Sequence, residues 1–326
     1  MNKISNQFLP FVSIIVVNWN GERYLKKLLS ILENQTYPKD KYKIIVVDNN
    51  STKDDSINFV KSNFPKIKLI ENSKNDGFAG GCNIGIVNSR SDYYLLINND
   101  TKPKLDWLEE LVKCTFNKKN VGAIVSKVLF DKAGKENIIN NAGSTLFPDK
   151  QWPVEEIGAN QPDGPEFNKE REITALCGAS VLLSKKMLED IGIFDESFFM
   201  YFEDTDLSWR GQKAGWKFYY CPTSIVLHEH SGSSVEHSDF WTFFVTRNRL
   251  LIMWKHAKVF LATKVYLNFI KEFTITPCIN FIRNNQKKHQ LHMLKLGLRI
   301  HLSFLKLLPL SLAKRLSLVK ERSLDK

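Results

Sequence analysis

The feature that most constrains this chain is a series of short β-branched runs, each ending in a cluster of Asn, Asp or Gly, with helical periodicity between them. Residues 12–17 (VSIIVV) form a continuous apolar run, the pattern of a parallel strand buried on both faces. The run ends in Asn18-Trp19-Asn20-Gly21, and an amphipathic segment follows through Tyr24, Leu25, Leu28, Leu29 and Leu32. Residues 42–47 (YKIIVV) predict a second strand. Its end, Asp48-Asn49-Asn50-Ser51-Thr52, caps a helix carrying Ile57, Phe59 and Val60. A third short strand falls at 68–71. A fourth at 93–97 (YYLLI) delivers Asn98-Asn99-Asp100. Such alternation predicts an α/β fold with a mostly parallel central sheet flanked by helices. Ligands of open α/β sheets bind outside the carboxyl ends of the strands, and the polar clusters after strands one, two and four all fall there.

From 122 to 172 the pattern loosens into many Gly, Pro and Asn residues, which predicts a crossover through irregular or antiparallel structure. Order returns at 173–184, and 197–215 holds an acidic cluster that leads into a helix. After Trp241, Leu, Phe and Ile are interleaved with Lys, Arg and His, and Pro277 and Pro309 divide this tail into amphipathic helical pieces. The net charge of +11 is unevenly placed: residues 241–326 carry 17 Lys/Arg against 3 Asp/Glu, or +14, which leaves −3 for residues 1–240. A basic amphipathic tail suits a solvated face, a membrane surface or another acidic partner. The 5 cysteines are scattered, odd in number and without C-x-x-C spacing, a pattern of neither a disulfide framework nor a zinc site but of a reducing cytoplasm. Residues 8–17 behind Lys3 imitate a short signal peptide, yet a turn follows in place of a small-residue cleavage site, so a first core strand is expected. No stretch reaches the roughly 18 uninterrupted apolar residues of a spanning helix.

Five groups of residues carry chemistry. Asp48 ends strand two, where a carboxylate accepts hydrogen bonds from a nucleobase or a ribose, or serves as a turn residue. The segment 75–85 (NDGFAGGCNIG) reads as a Gly-rich loop in which Gly77, Gly80, Gly81 and Gly85 allow close backbone approach to a diphosphate or nucleoside. Its spacing is not that of a dinucleotide-binding fingerprint. Asp100, delivered by an apolar strand, suits a hard divalent cation that keeps waters and substrate phosphates in its shell, or else closes a polar turn. In 198–210 (FFMYFEDTDLSWR) Glu203, Asp204 and Asp206 stand beside five apolar side chains. Apolar walls raise a carboxylate pKa and suit a general base, whereas Asp206 reads as a helix first-turn residue. His228 ends the run 225–228 as either a ligand or a structural histidine.

In their order and combination these segments resemble the family 2 glycosyltransferases, most closely a bacterial rhamnosyltransferase-like branch. VSIIVVNWNG, VVDNNSTKDDS, NDGFAGGCNIG, LLINNDT, CGAS, FFMYFEDTDLSWR, LHEHSGSS and TRNRL carry the resemblance, which runs from about Val12 to Leu251. It implies a GT-A type nucleotide-diphospho-sugar transferase fold. Residues 1–240 would be the catalytic domain, with a nucleotide-binding half at about 1–120 and an acceptor half at about 121–240. Residues 241–326 would be a C-terminal basic amphipathic helical region.

The resemblance also implies roles. Asp48 contacts the base, with main-chain contacts near Val17 and Asn18. Gly77, Gly80, Asn83, Asn98 and Asn99 belong to the nucleotide-sugar site. Asp100 is the last aspartate of a D-x-D metal motif whose first aspartate is here Asn98, and His228 completes the shell of Mn2+ or Mg2+. Asp204 is the base of an inverting displacement, with Glu203 as its neighbour. Arg247 and Arg249 either pair with the diphosphate or begin a solvated basic helix. The implied donor is a nucleotide-diphospho-sugar, with dTDP-rhamnose favoured, and the acceptor a glycan or a lipid-linked glycan in cell-surface polysaccharide and cell-wall biosynthesis. The protein would then be cytoplasmic and peripheral on the inner face of the plasma membrane, with no nucleic-acid partner. Two other readings use the same parts: a nucleotidyltransferase acting on sugar phosphates, and a non-catalytic nucleotide-sugar-binding component of a polysaccharide assembly complex.

Overall fold

The first apolar run forms β1 (Val12–Asn18), which lies between β2 (Tyr42–Asp48) and β4 (Tyr93–Asn98) in parallel register, Val17 facing both Val47 and Asn98. The computed structural model describes residues 9–229, 237–283 and 286–324. Two compact units divide the chain: the first takes Met1–Leu146, Val154–Phe199 and Glu203–Ser233, the second Phe147–Pro153, Met200–Phe202 and Ser234–Lys326.

In the first unit β3 (Lys68–Glu71) extends the parallel set beyond β2. β5 (Thr101–Pro103) leaves the sheet path just after β4, and β6 (Val121–Phe130) follows. The short strands β7 (Ile139–Asn141), β8 (Ser144–Leu146), β9 (Val154–Glu156) and β10 (Arg171–Ile173) occupy the irregular stretch. β11 (Ser180–Ser184) and β12 (Lys217–His228) complete the sheet, in the order β10-β12-β6-β11-β4-β1-β2-β3. The expected mostly parallel sheet is therefore mixed. β3, β2, β1 and β4 are parallel, β11 runs antiparallel to both β4 and β6, and β6 is parallel to β12. The looseness expected from residue 122 onward begins one strand too early. Val121–Phe130 is a ten-residue strand buried almost throughout, and its single glycine, Gly122, meets the Met187 sulfur and Phe218 ring rather than opening a loop.

Both faces are covered. On one, α1 (Glu22–Glu33), α2 (Ser56–Asn63) and α4 (Trp107–Lys113) bury Leu25, Leu28, Leu29, Val60, Trp107 and Leu111 over the sheet. On the other, α3 (Gly77–Val87), α5 (Lys185–Ile191) and α6 (Glu203–Lys213) bury Ala79, Cys82, Ile86, Met187 and Leu207. A second correction concerns α3, because NDGFAGGCNIG is a helix and not a loop. Its glycines set how near the helix lies to the sheet. A Cβ on Gly81 would stand 2.6 Å from Val17 Cγ1, and one on Gly85 2.5 Å from Ile15 Cγ2.

The second unit is helical: α7 (Asp239–His256), α8 (Val259–Ile270), a π-helical turn (Lys271–Ile275), α9 (Thr276–Ile282) and α10 (Lys287–Leu324). Pro277 sits in the first turn of α9, directly after the π-helical turn. Pro309, expected to split the tail, lies inside the 38-residue α10, so that division does not occur. Although no uninterrupted apolar run is present, Lys287–Ser317 is long and apolar enough on average to cross a membrane.

Replacing Gly85 by Ala should destabilise the first unit by about 1–3 kcal/mol, because Ile15 in a buried strand must move to admit the methyl group. Urea unfolding followed by circular dichroism measures this, and an unchanged midpoint would show that α3 rests on the sheet more loosely than described.

Candidate active site

The carboxyl ends of β1, β2 and β4 are tied together by side chains. Asn18 Nδ2 donates to Asp48 Oδ2 at 2.9 Å, and Asn99 Nδ2 donates to Asn18 Oδ1 at 2.9 Å. The Ser51 backbone N–H donates to Asp48 Oδ1 at 2.7 Å and its hydroxyl to Asp48 Oδ2 at 2.7 Å. Asn18 and Asp48 are buried, so these bonds replace the water both side chains gave up. Asn20, at φ 51°, takes up the turn conformation that Asn tolerates and accepts from the N–H groups of Thr52 and Lys53 at 2.9 Å each. Trp19 stands between Asn18 and Asn20 with 39% of its surface exposed, an aromatic ring at the strand ends that the sequence reading passed over. Its signal was available: a large apolar residue in an otherwise polar turn.

The next pair comes from distant parts of the sequence. β5 pairs antiparallel with the end of β12, setting Thr101 opposite His228. His228 Nε2 consequently lies 3.1 Å from Asp100 Oδ1, and both side chains are buried. β12 reaches that point through a register shift between Cys221 and Ile225, where Pro222 sits outside the ladder. On its other side His228 Nδ1 is 3.2 Å from Asn140 Oδ1. With Nδ1–H donated to Asn140, a neutral ring turns the Nε2 lone pair toward an Asp100 oxygen. A proton or a cation between the two satisfies that arrangement. Among the described residues no three His, Cys, Asp or Glu side chains gather into a closed metal cage. The pair therefore fits a hard cation that draws the rest of its shell from water and phosphate, not a structural metal. A cleft opens beside Asp100, with Asn99, Lys102, Tyr24 and Glu229 in its wall. Arg23 and Lys27, one turn apart on α1, also line it, and sequence reasoning missed this i, i+4 cationic pair.

On the other face, α3 supports the acidic segment. The Gly77 carbonyl accepts from Asn49 Nδ2 at 2.8 Å, and the Ala79 N–H donates to the Phe199 carbonyl at 3.1 Å. Gly77, at φ +72°, admits no side chain, since a Cβ there would stand 2.3 Å from the Phe199 oxygen. Gly80 lies within the helix, against Asp76. Asn83 is committed within the protein. It donates to the Phe194 carbonyl and to Glu196 Oε1 at 2.9 Å each, and accepts from the Phe194 N–H at 3.0 Å. Gly77, Gly80 and Asn83 thus have structural work that their place in a supposed phosphate loop did not suggest.

The acidic segment opens α6. Glu203 is buried, and among the described residues its Oε2 has no hydrogen-bond partner. Burial, followed by the adjacent Asp204 charge, raises its pKa well above the ordinary carboxylate range. Asp204 accepts from the Gly178 N–H at 3.1 Å and from the Thr205 N–H at 2.6 Å. Burial raises its pKa as well, while those N–H donors pull it back toward the ionised form. Gly178 belongs to CGAS, so two segments of the sequence motif meet at one carboxylate. Asp206 is separate from this pair. It accepts from Arg210 Nε at 2.9 Å, while the Arg210 guanidinium also donates to the carbonyls of Gly192 and Ile193, a structural knot one turn into the helix.

In the second unit Arg247 and Asn248 lie side by side on α7. Arg247 is buried, bonds Asn248 Oδ1 through Nε at 2.8 Å, and sits 4.8 Å from the Phe244 ring centre. Burial lowers its pKa to about 10. Asn248 Nδ2 donates to the carbonyls of Met200 and Tyr201 at 2.8 and 2.7 Å. Phe199, Tyr201 and Phe202 all have positive φ, between 65° and 69°, which is costly for aromatic residues and is held by surrounding bonds such as these. Residues 230–234 of the LHEHSGSS motif lie outside the described residues.

The chain is similar to several known proteins. A glucuronosyltransferase from Methanococcus voltae, named as acting on dolichyl N-acetylglucosaminyl phosphate, is 26% identical over 70% of this chain and 69% of its own. The low-salt glycan biosynthesis hexosyltransferase Agl10 of Haloferax volcanii is 25% identical over 76% and 77%. The N-acetylglucosaminyl-diphospho-decaprenol L-rhamnosyltransferase of Mycobacterium tuberculosis is 22% identical over 68% and 76%. Among solved structures, a mannosyltransferase from Pyrobaculum calidifontis in complex with GDP-Man and Mn2+ covers 98% of this chain and 89% of its own with a TM-score of 0.55 at 16% identity. GalNAc-T7 with UDP, GalNAc and Mn2+ aligns at a TM-score of 0.59 and 16% identity over 76% of this chain, which spans only 48% of that one. These likenesses give the fold as GT-A. Since the glycosyl transferase family 2 model also matches residues 13–192, more than half of the chain, the protein belongs to the family 2 glycosyltransferases.

Proposed function

We propose that the protein is an inverting, metal-dependent glycosyltransferase that moves a deoxyhexose such as rhamnose from a dTDP-linked donor to a lipid-linked glycan during cell-surface polysaccharide assembly. The observation that carries the reading is the adjacent Glu203–Asp204 pair, with Glu203 buried and the half-buried Asp204 carboxylate held by the Gly178 N–H. An acceptor hydroxyl must lose its proton as its oxygen attacks the anomeric carbon. A carboxylate whose pKa is raised toward the working pH takes that proton efficiently, and Asp204 is assigned this role. Burial favours the protonated form of Glu203, which limits the negative charge beside Asp204. One displacement with a base and no protein nucleophile inverts the anomeric centre.

Asp48 and Asn18 are assigned to the base and ribose of the donor, with Val17, Asn98 and Asn99 beside them, Gly77, Gly80 and Asn83 supporting that edge, and Arg247 to the diphosphate. Their placement at one strand edge supports this for the first five. Asp100 and His228 are assigned to Mn2+ or Mg2+, which when bound would supply positive charge to the leaving nucleoside diphosphate. The dolichyl and decaprenol carriers in the names of two relatives support a lipid-linked acceptor. The rhamnosyltransferase name supports the sugar. A cytoplasmic location on the inner face of the plasma membrane follows from such an acceptor.

Asp204→Asn should bind nucleotide sugar as the wild type does while transfer falls by about 10^2–10^4-fold. In the wild type, kcat/KM should decline as pH falls through an acid limb above the ordinary carboxylate value of 3.8, because protonated Asp204 accepts nothing. Initial rates with a panel of nucleotide sugars measure both, and unchanged transfer by the variant would remove the base assignment.

Glu203 gives a linked stability effect. Its raised pKa means the folded state favours the protonated acid, so that contribution is complete below the unfolded value near 4.5 and is lost as pH rises through the folded value. Glu203→Gln should therefore gain stability relative to the wild type as pH climbs. Urea midpoints at acidic and alkaline pH measure the difference, and parallel pH profiles would contradict it.

His228→Ala should raise the Mn2+ concentration for half-maximal binding by about 10–100-fold, and Asp100→Ala should abolish tight binding. Calorimetric titration of Mn2+ in the presence of nucleoside diphosphate reads this without reference to transfer. Equal Mn2+ affinity in all three proteins would place the cation elsewhere.

A further inference from the structure

Of the 18 large hydrophobic side chains that stand exposed among the described residues, 15 belong to the second unit. They are ordered. Along α10 five of the six exposed leucines, Leu291, Leu298, Leu302, Leu305 and Leu316, recur at intervals of seven, four, three and eleven, a single stripe of about 40 Å at 1.5 Å per residue, with Leu310 to one side of it. Exposed Lys295, Arg299 and Lys306 flank it, and no acidic residue occurs from 287 to 317. The opposite side of the same helix is packed within the unit. Leu296, Ile300 and Phe304 are buried, and Gly297 lies so close to the π-helical turn that a Cβ would stand 2.8 Å from the Phe273 carbonyl oxygen. A second run, Phe260, Leu267, Ile275, Ile279 and Ile282, is exposed along α8 to α9, with Lys264, Lys271 and Arg283 between and after them.

We infer that the leucine stripe of α10 is a docking surface for an anionic bilayer, with the helix lying in the plane of the interface. Three occupants could cover such a stripe, and charge decides between them. A second copy of the chain would bring Lys295, Arg299 and Lys306 against their own like charges, with no acidic side chain on α10 from 287 to 317 to answer them. A spanning arrangement would strip Leu296, Ile300 and Phe304 from their packing and draw Lys295, Arg299 and Lys306 into hydrocarbon. An anionic lipid surface accepts both features at once: the leucines enter the headgroup boundary while the flanking lysines and arginine reach the phosphates. The inference deepens the peripheral membrane contact in the proposed function, and it names the face, the orientation and the lipid chemistry.

Vesicle flotation of the full chain tests it, using phosphatidylcholine alone against three parts phosphatidylcholine to one part phosphatidylglycerol. Binding should be about ten-fold or more tighter to the anionic vesicles and should weaken sharply at raised salt. The triple change Leu298→Gln, Leu302→Gln and Leu305→Gln alters exposed side chains only. It should lose at least about ten-fold in vesicle binding with its circular dichroism unchanged. Alkaline extraction should release the bound wild type. Equal binding to both vesicle types, undiminished binding by the triple variant, or retention after alkaline extraction would overturn the inference. So would a dimer in light scattering that the triple variant dissolves without any vesicle binding. Asp204→Asn should float like the wild type, so failure of docking and failure of the catalytic assignment are read separately.

Discussion

The closeness of α3 to the parallel strands sets most of what surrounds the site. Helices packed on sheets usually stand off by the length of their side chains. Here Gly81 and Gly85 remove that spacing against Val17 and Ile15, and the helix settles onto β1 and β2. Its first turn then comes within reach of two other segments. Asn49, just past β2, holds the Gly77 carbonyl, and the Phe199 carbonyl takes the Ala79 N–H. Farther along, Asn83 fixes the Phe194 backbone and Glu196. One close-packed helix thus joins the strand ends where Asp48 lies to the stretch that leads into Glu203 and Asp204. Sterics, not any single polar contact, determine how the two chemistries are placed.

The polar interior around these residues is costly, and its arrangement shows how the cost is met. Asn18, Asp48 and Ser51 satisfy one another in a connected network, which makes a buried carboxylate tolerable. Asp204 has backbone donors, while Glu203 keeps a buried oxygen, Oε2, without any among the described residues. A neutral acid is the cheaper state for such a group, and it leaves its neighbour as the one that can carry charge. The pair titrates as a unit, so its first and second ionisations belong to both residues together. The positive φ angles at Phe199, Tyr201 and Phe202 add strain just upstream. Strain and an unsatisfied oxygen thus fall within five residues, both of them costs that the surrounding structure meets.

The sequence made the parallel half of the sheet readable because β1, β2 and β4 are buried on both faces and so are apolar without interruption. β6 was hidden by Gly122, whose role is to admit Met187 and Phe218. The glycines of α3 were read through their freedom of conformation, and only Gly77 uses it. The others matter for their missing Cβ, which a sequence alone does not distinguish. Asp100 and His228 could be nominated separately as strand-end residues, but their contact depends on the pairing of β5 with β12, which has no local signature. Pro309 misled because a proline usually ends a helix, whereas the packing along α10 outweighs one lost hydrogen bond. The tail's charge needed only counting. That its leucines face outward depends on which side of α10 meets the Phe273 turn.

Asn99, the middle residue of Asn98-Asn99-Asp100, belongs to the hydrogen-bond network at the strand ends. Asn99 donates to Asn18 Oδ1 while Asn18 donates to Asp48, so the amide at 99 passes a hydrogen bond along to the carboxylate. An aspartate at that position would lose the donor and set an anion beside the Asn18 oxygen, loosening Asp48 in turn. With Asn98 standing where the motif's first aspartate would be, the proposed site has one carboxylate and one imidazole for the cation. Such a pair holds a hard divalent ion weakly on its own, and the missing negative charge has to come from the donor's phosphates. Cation and nucleotide sugar would then bind as a unit, each weak without the other. A site of this kind is charged for catalysis only when the substrate is in place.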